Sequence, residues 1–261
     1  MEKTEMTSQR PRYILLDEIR GITLLSMILF HAIWDLVYIF RVDWDWFYTD
    51  IAYIWQQSIC WCFILLSGFC WSLGKRKLYR GGVVFGCGIL ISVITEIFTP
   101  MQRIRFGVLT FLGVSMLLTN LLEKILKRIP CVFGFTLNIL LFVITRNLNE
   151  GCLGFEGLKL YQLPKAWYDL GDGATFLGLT DIHFFSADYF SIFPWYFLFL
   201  TGYFLYRWME QKHLLERLGN KKPIGAFWSK LGKNSLVIYL LHQPVVYLTL
   251  LIVKVVGILP Q

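Results

Sequence analysis

Residues 16–35 read LDEIRGITLLSMILFHAIWD, an apolar helical run interrupted by Asp17, Arg20, His31 and Asp35. At 100° per residue, with Asp17 at zero, Arg20 falls at about −60°, His31 at about −40° and Asp35 back at about 0°. The four polar groups share one stripe, and Ile22, Leu25, Ile28 and Leu29 spread over the rest of the surface. Charge inside a membrane span costs several kcal/mol, so it normally faces a protein interior or a wet cavity and marks function. The plainer alternative is a structural polar stripe that holds helices together.

Composition puts the stripe in a membrane. Hydrophobic residues make up 56% of the 261 and charged residues 16%, with mean hydropathy +0.55; a soluble domain carries about 25% charge. The expected fold is an all-α, polytopic integral-membrane bundle. Apolar segments of about 17–25 residues read as spans, and about seven transmembrane helices are expected, at 15–40, 49–74, 81–99, 105–123, 130–146, 189–209 and 233–259. Gly81, Gly82, Gly86 and Gly88 permit close helix contacts in the third, and Pro100, Pro130, Pro194 and Pro244 mark ends or kinks.

Lysine and arginine set the orientation. One side of the membrane collects Lys3, Arg10 and Arg12, then Lys75 to Arg80, then Lys124, Lys127 and Arg128, then the run from Arg207 through Lys221 to Lys233. The other side holds acidic residues such as Asp43, Asp45, Asp50, Glu150 and Asp169. The expectation is N-in, C-out, with a cytosolic tail at 1–12 and one transmembrane domain at 13–261. A long extracytoplasmic connection at about 147–188 is the one loop long enough to be a lid or binding segment.

The net charge of +7 belongs to basic loops beside the spans and gives no reason to expect nucleic acid. The polar start MEKTEMTSQRPR lacks the pattern of a removable signal peptide. Five of the six cysteines fall in apolar segments, so neither a disulfide framework nor a metal site is expected. Trp44, Trp46, Trp55, Trp167, Trp195 and Trp208 fit an aromatic belt at the interfaces.

Asp35 lies four residues beyond His31, the spacing at which helical side chains meet. A carboxylate beside an imidazole fixes the tautomer and raises basicity, as a general base requires. The last span brings His242, followed by Gln243 and Pro244, to a depth close to that of His31. His242 and Gln243 could equally be cross-links between helices. Asp188, ahead of Pro194-Trp195, could cap the sixth span or hold a cationic acceptor. Lys75, Arg76, Lys77 and Arg80 could attract a nucleotide's phosphates, or only set topology or touch anionic lipid.

The pattern Leu16-Asp17-x-x-Arg20-Gly21, then Met27 and His31, resembles the opening of the transmembrane acyltransferases. It is most similar to the compact bacterial relatives of heparan-alpha-glucosaminide N-acetyltransferase. Phe63 to Gly68, Phe106 to Leu109 with Leu112-Gly113, Ala187 to Phe190 with Pro194-Trp195, and Ser235 to Pro244 agree in order along the chain. The resemblance implies transfer of an acetyl group from cytosolic acetyl-CoA to an acceptor across the membrane, typically an amino sugar or other glycan, in a bacterial plasma membrane.

On that footing His31, oriented by Asp35, is the expected base or a transient acetyl carrier, and His242 a second catalytic candidate. Arg20 holds coenzyme A phosphate or neutralises Asp17, with Lys75, Arg76 and Lys77 as further donor-site residues. Asp188, Trp195 and Gln243 are the acceptor-site candidates. Expected partners are the lipid bilayer and the acceptor, with association between copies of the chain left open. Two other classes remain: a proton-coupled transporter or flippase with the same His–Asp relay, and a non-catalytic scaffold.

Overall fold

The computed structural model describes residues 13–219 and 222–257. The tail at 1–12, with Lys3, Arg10 and Arg12, and Lys221 of the basic run lie outside the described residues. In chain order come α1 (Ile14–Tyr38), α2 (Asp50–Trp71), α3 (Lys77–Phe98), α4 (Val108–Leu126) and α5 (Cys131–Ile144). A hairpin of β1 (Cys152–Phe155) and β2 (Leu158–Gln162) follows, then α6 (Asp172–Leu177), α7 (Trp195–Gln211), α8 (Leu215–Gly219), α9 (Ala226–Lys233) and α10 (Ser235–Val255).

Among the described residues five helices, α1, α2, α3, α4 and α10, are long and apolar enough to cross a membrane. α5 is apolar but has 14 residues, about 21 Å at 1.5 Å per residue, against a hydrocarbon core of about 30 Å. α7 has 17. Each of the seven expected segments thus contains a helix among the described residues, and five of those helices meet the length and composition of a span.

The chain divides into two compact units, one formed by residues up to Val42 with those from Met209 onward, the other by Asp43–Trp208. In the Asp43–Trp208 unit the core is aromatic, built around Ile64, Trp71, Phe111, Phe199, Tyr203 and Phe204. Glycines let its backbones touch. A Cβ on Gly68 would run into the Phe199 carbonyl and one on Gly202 into the Leu65 carbonyl, which clamps α2 to α7. Gly88 against Thr110 and Gly113 against Phe85 do the same for α3 and α4. Gly82 and Gly86, expected to join such contacts, face nothing within 4 Å. Three prolines mark boundaries, Pro100 after α3, Pro130 capping α5 and Pro194 before α7, whereas Pro244 lies inside α10.

The long connection in this unit carries regular structure that its Gly-rich composition concealed. β1 and β2 pair antiparallel, with an irregularity between Leu153 and Gly154, where Gly154 takes φ +149°. Glu156 at the turn adopts φ +50°, and its carbonyl accepts the Asn147 side-chain amide at 2.6 Å. Further on, Ala187 N–H donates to the Arg103 carbonyl (3.0 Å) and Phe190 N–H to that of Phe106 (2.8 Å). Two segments quoted for the family resemblance, 106–109 and 187–190, are therefore laid side by side.

In the other unit α1 packs against α9 and α10. Along α9 the order is antiparallel, since Gly21 abuts the Trp228 carbonyl and Gly232 abuts that of Asp17. Along α10 it is parallel, with His31 beside His242, Asp35 bonded to Gln243 and Phe40 near Tyr247. The fully buried Glu18 accepts the Gly225 N–H at 2.9 Å, fixing the start of α9 to α1. Asn234 then turns the chain into α10.

Candidate active site

α1 and α10 bring four of the expected residues together. The His31 and His242 ring centroids stand 4.9 Å apart at 56°. Asp35 is fully buried, and its Oδ1 accepts a hydrogen bond from Gln243 Nε2 at 2.8 Å. The His31–Asp35 bond expected from their i, i+4 spacing is not what the carboxylate makes. Its bond runs to the neighbouring helix, because α10 lies against that stripe of α1 and offers an amide there.

His242 is held by its own helix. Its Nδ1 lies 2.5 Å from the Tyr239 carbonyl, and a carbonyl oxygen can only accept, so Nδ1 carries the proton. A neutral ring in that tautomer presents a bare lone pair at Nε2. Among the described residues that Nε2 is buried without a hydrogen-bond partner, as are Asp35 Oδ2 and Gln243 Oε1. Pro244, one residue further, has no N–H to give the carbonyl four residues back. The result is a buried patch of one lone pair and two acceptor oxygens, none engaged by the protein, with a second imidazole alongside.

Arg20 pairs with Asp17 at 3.4 Å through Nη1, the neutralising role of the two foreseen for it. The remaining candidates belong to the Asp43–Trp208 unit. Lys75, Arg76 and Lys77 line an open cleft of about 370 Å³ with Leu78, Tyr79 and Asn120. Lys77 is already committed: its Nζ lies 2.7 Å from Glu123 and 3.9 Å from the centre of the Trp71 ring. Lys127 holds the same Glu123 oxygen at 2.8 Å.

Asp188 caps a helix, but not the one it precedes in sequence. Its Oδ2 accepts the Val108 N–H at 3.0 Å, satisfying one of the orphan donors at the start of α4. Burial pushes its carboxyl up to about 6, opposed by that hydrogen bond. Trp195 is buried at the head of α7, between Phe142 and Phe190. The Arg146 guanidinium lies over its ring at 4.9 Å. Arg146 donates to Tyr53 and Gln57 at 3.0 Å each and pairs with Glu156 at 3.0 Å, while the Tyr53 hydroxyl donates to Glu156 at 2.6 Å. This clasp fastens the hairpin to α2, and Trp195 is part of its floor.

Among the described residues no group of three or more His, Cys, Asp or Glu is gathered as a metal site would need.

Comparison with protein families matches most of the chain. The family described as "Heparan-alpha-glucosaminide N-acetyltransferase, catalytic" matches residues 12–244. The chain belongs to that family. Searches of curated proteins and of solved structures return no match. With its apolar helices the chain is an integral-membrane protein of an acyltransferase family, and the matched range takes in His31, Asp35, His242 and Gln243.

Sequence reasoning on this family member missed the partner that orients His242, since the backbone carbonyl of Tyr239 leaves no compositional mark. It also missed the tie between Glu18 and α9. A signal for that was present in the spacing of Gly225 and Gly232 around AFWSKL, which leaves one helix face without bulk.

Proposed function

We propose that the protein is a membrane acetyltransferase moving an acetyl group from acetyl-CoA to an amino-sugar or other glycan acceptor, with His242 as the base. The observation that carries this is the His242 tautomer: Nδ1 held by the Tyr239 carbonyl and Nε2 buried with a free lone pair. Family membership supplies the reaction class.

In the proposed step Nε2 takes a proton from the acceptor's amine or hydroxyl as that group attacks the thioester carbonyl carbon. The new C–N or C–O bond forms, the C–S bond breaks, and the coenzyme A thiolate leaves with the proton that His242 returns. His31 lies where it can relay that proton or hold the acetyl group transiently. Asp35, tied to Gln243, keeps α1 and α10 in register. Arg20 is proposed for the donor's phosphates only in exchange for its bond to Asp17, and Lys75 and Arg76 are the freer pair of the basic cluster. Asp188 and Trp195 are read as supporting an acceptor site through the segments they hold in place.

The same proposal includes residues 13–261 acting as one transmembrane domain of seven spans, N-in and C-out, in a bacterial plasma membrane. Its support is that the head of α3 and the tail of α4 meet through Lys77 and Glu123, which gathers Lys75, Arg76, Lys124, Lys127 and Arg128 at one end of that unit, as an inner face requires. Transfer of labelled acetyl from acetyl-CoA to a glucosamine glycoside, measured on purified protein in micelles, tests the reading. His242→Ala is expected to abolish transfer and His31→Ala to reduce it. Full activity in His242→Ala would end the assignment.

A further inference from the structure

The outward face of α9 has a composition that the acetyl-transfer reading does not use. The helix sits on α1 by one side, with Ser229 and Gly232 buried and Trp228 half-buried. The opposite side exposes Phe227, Lys230 and Lys233, and the approach to the helix exposes Lys222 and Ile224. Phe227 is 61% exposed and Ile224 60%. Among the described residues none of the three ammonium groups has a carboxylate partner. Two large apolar side chains thus stand in water's reach, ringed by unpaired lysines.

The depth of α9 is set by its partner. α1 has 25 residues, about 37 Å at 1.5 Å per residue, against a hydrocarbon core of about 30 Å. Standing upright, α1 extends beyond the core by roughly five residues. The end carrying Asp17, Glu18 and Arg20 is the polar one, and Asp17 and Gly21 are the residues α9 touches. That puts α9 at the level of lipid headgroups, where an apolar wedge with lysines around it inserts among acyl chains while the ammonium groups meet phosphates.

We propose that α9 is an interfacial helix whose exposed face, Ile224 and Phe227 with Lys222, Lys230 and Lys233, binds anionic phospholipid. A lysine near an anionic surface strengthens binding about fivefold, so the three together favour an anionic over a zwitterionic lipid by well over tenfold. Because α9 runs into α10 through Asn234, the lipid it holds also bears on the helix that carries His242.

The full chain is reconstituted in nanodiscs of phosphatidylcholine with 30% phosphatidylglycerol, then released, and the lipids that stay bound are counted by native mass spectrometry. This readout needs no enzymatic activity, so it stands or fails apart from the acetyl-transfer reading. The wild type is expected to retain phosphatidylglycerol preferentially, less so as salt rises. K222Q/K230Q/K233Q should lose that preference by more than tenfold, with K230Q and K233Q falling between, and F227S should lower total lipid retained. All are exposed positions, and an unchanged melting temperature in detergent confirms the fold. Equal preference in wild type and triple variant, or displacement of the lipid by micromolar coenzyme A, would overturn the assignment.

Discussion

Gly232→Ala tests the contact that fixes α9, the helix leading into α10, against α1. A Cβ at Gly232 would overlap the Asp17 carbonyl oxygen and lie 2.7 Å from its carbon and 3.0 Å from the Asp17 Cα, where ordinary contact begins at 3.4 Å. All three are helix backbone, with no side chain to swing away, so α1 and α9 must part by more than an ångström. Overpacking of this kind costs about 1–3 kcal/mol, offset by up to about 1 kcal/mol because alanine is the better helix former. The expected net loss is about 1–2 kcal/mol, and at roughly 2–4 °C per kcal/mol for a chain of this size the midpoint in detergent should fall by roughly 2–8 °C.

Gly21→Ala meets the Trp228 carbonyl across the same contact and should behave alike. The double variant should cost less than the two single losses added, because helices already parted have room for the second methyl. Since α9 leads directly into α10, acetyl transfer should fall further than stability does, by up to about 100-fold if the imidazole moves by about an ångström. The control is Gly82→Ala, which faces nothing within 4 Å and should be neutral or slightly stabilising. A Gly232→Ala midpoint equal to that of Gly82→Ala would refute the packing argument.

Three further perturbations have defined outcomes. Gln243→Leu leaves the buried Asp35 carboxyl without its partner and should cost roughly 1.5–3 kcal/mol; a double-mutant cycle with Asp35→Leu should recover part of that, and strict additivity would show that the bond is not made. The Asp188 carboxyl, held at about 6 against an ordinary 3.8, binds its proton more tightly folded than unfolded. Its contribution to stability is therefore full below about pH 4 and lost as pH rises through about 6, and Asp188→Asn, which keeps an acceptor for Val108 N–H, should flatten that slope in detergent melts. Tyr53→Phe removes the hydroxyl shared by Glu156 and Arg146 and should speed deuterium uptake across 152–162, with no change there counting against the clasp.

Much of the helical layout was legible because hydropathy and proline act locally. Pro100, Pro130 and Pro194 sit at element boundaries as their missing N–H groups require, and Glu96 meets Arg105 at 3.3 Å across a short loop. What was not legible depends on tertiary choice. The i, i+4 rule offers Asp35 a partner on its own helix, but it cannot weigh an amide arriving from another. Asp188 reads as a cap for the helix that follows it, and only the pairing of 187–190 with 103–106 turns it toward α4. Gly86 and Gly88 are alike in sequence, and which one meets a backbone depends on the face that α4 covers. The β-hairpin escaped because its strands are four and five residues long, too short for the alternation in Leu158-Lys159-Leu160 to stand out from a Gly-rich connection.

α3 fully buries only Gly81 and Gly88, and thirteen of its 22 residues are exposed. A helix joined to its neighbour by such small contacts carries almost no sequence obligation on its outer surface. Its leucines, isoleucines and valines are free to drift with the acyl-chain length and fluidity of the host membrane, at a cost of only fractions of a kcal/mol per ångström of mismatch. Across related organisms this helix should record the history of the lipid, while α1 and α10 record the history of the reaction.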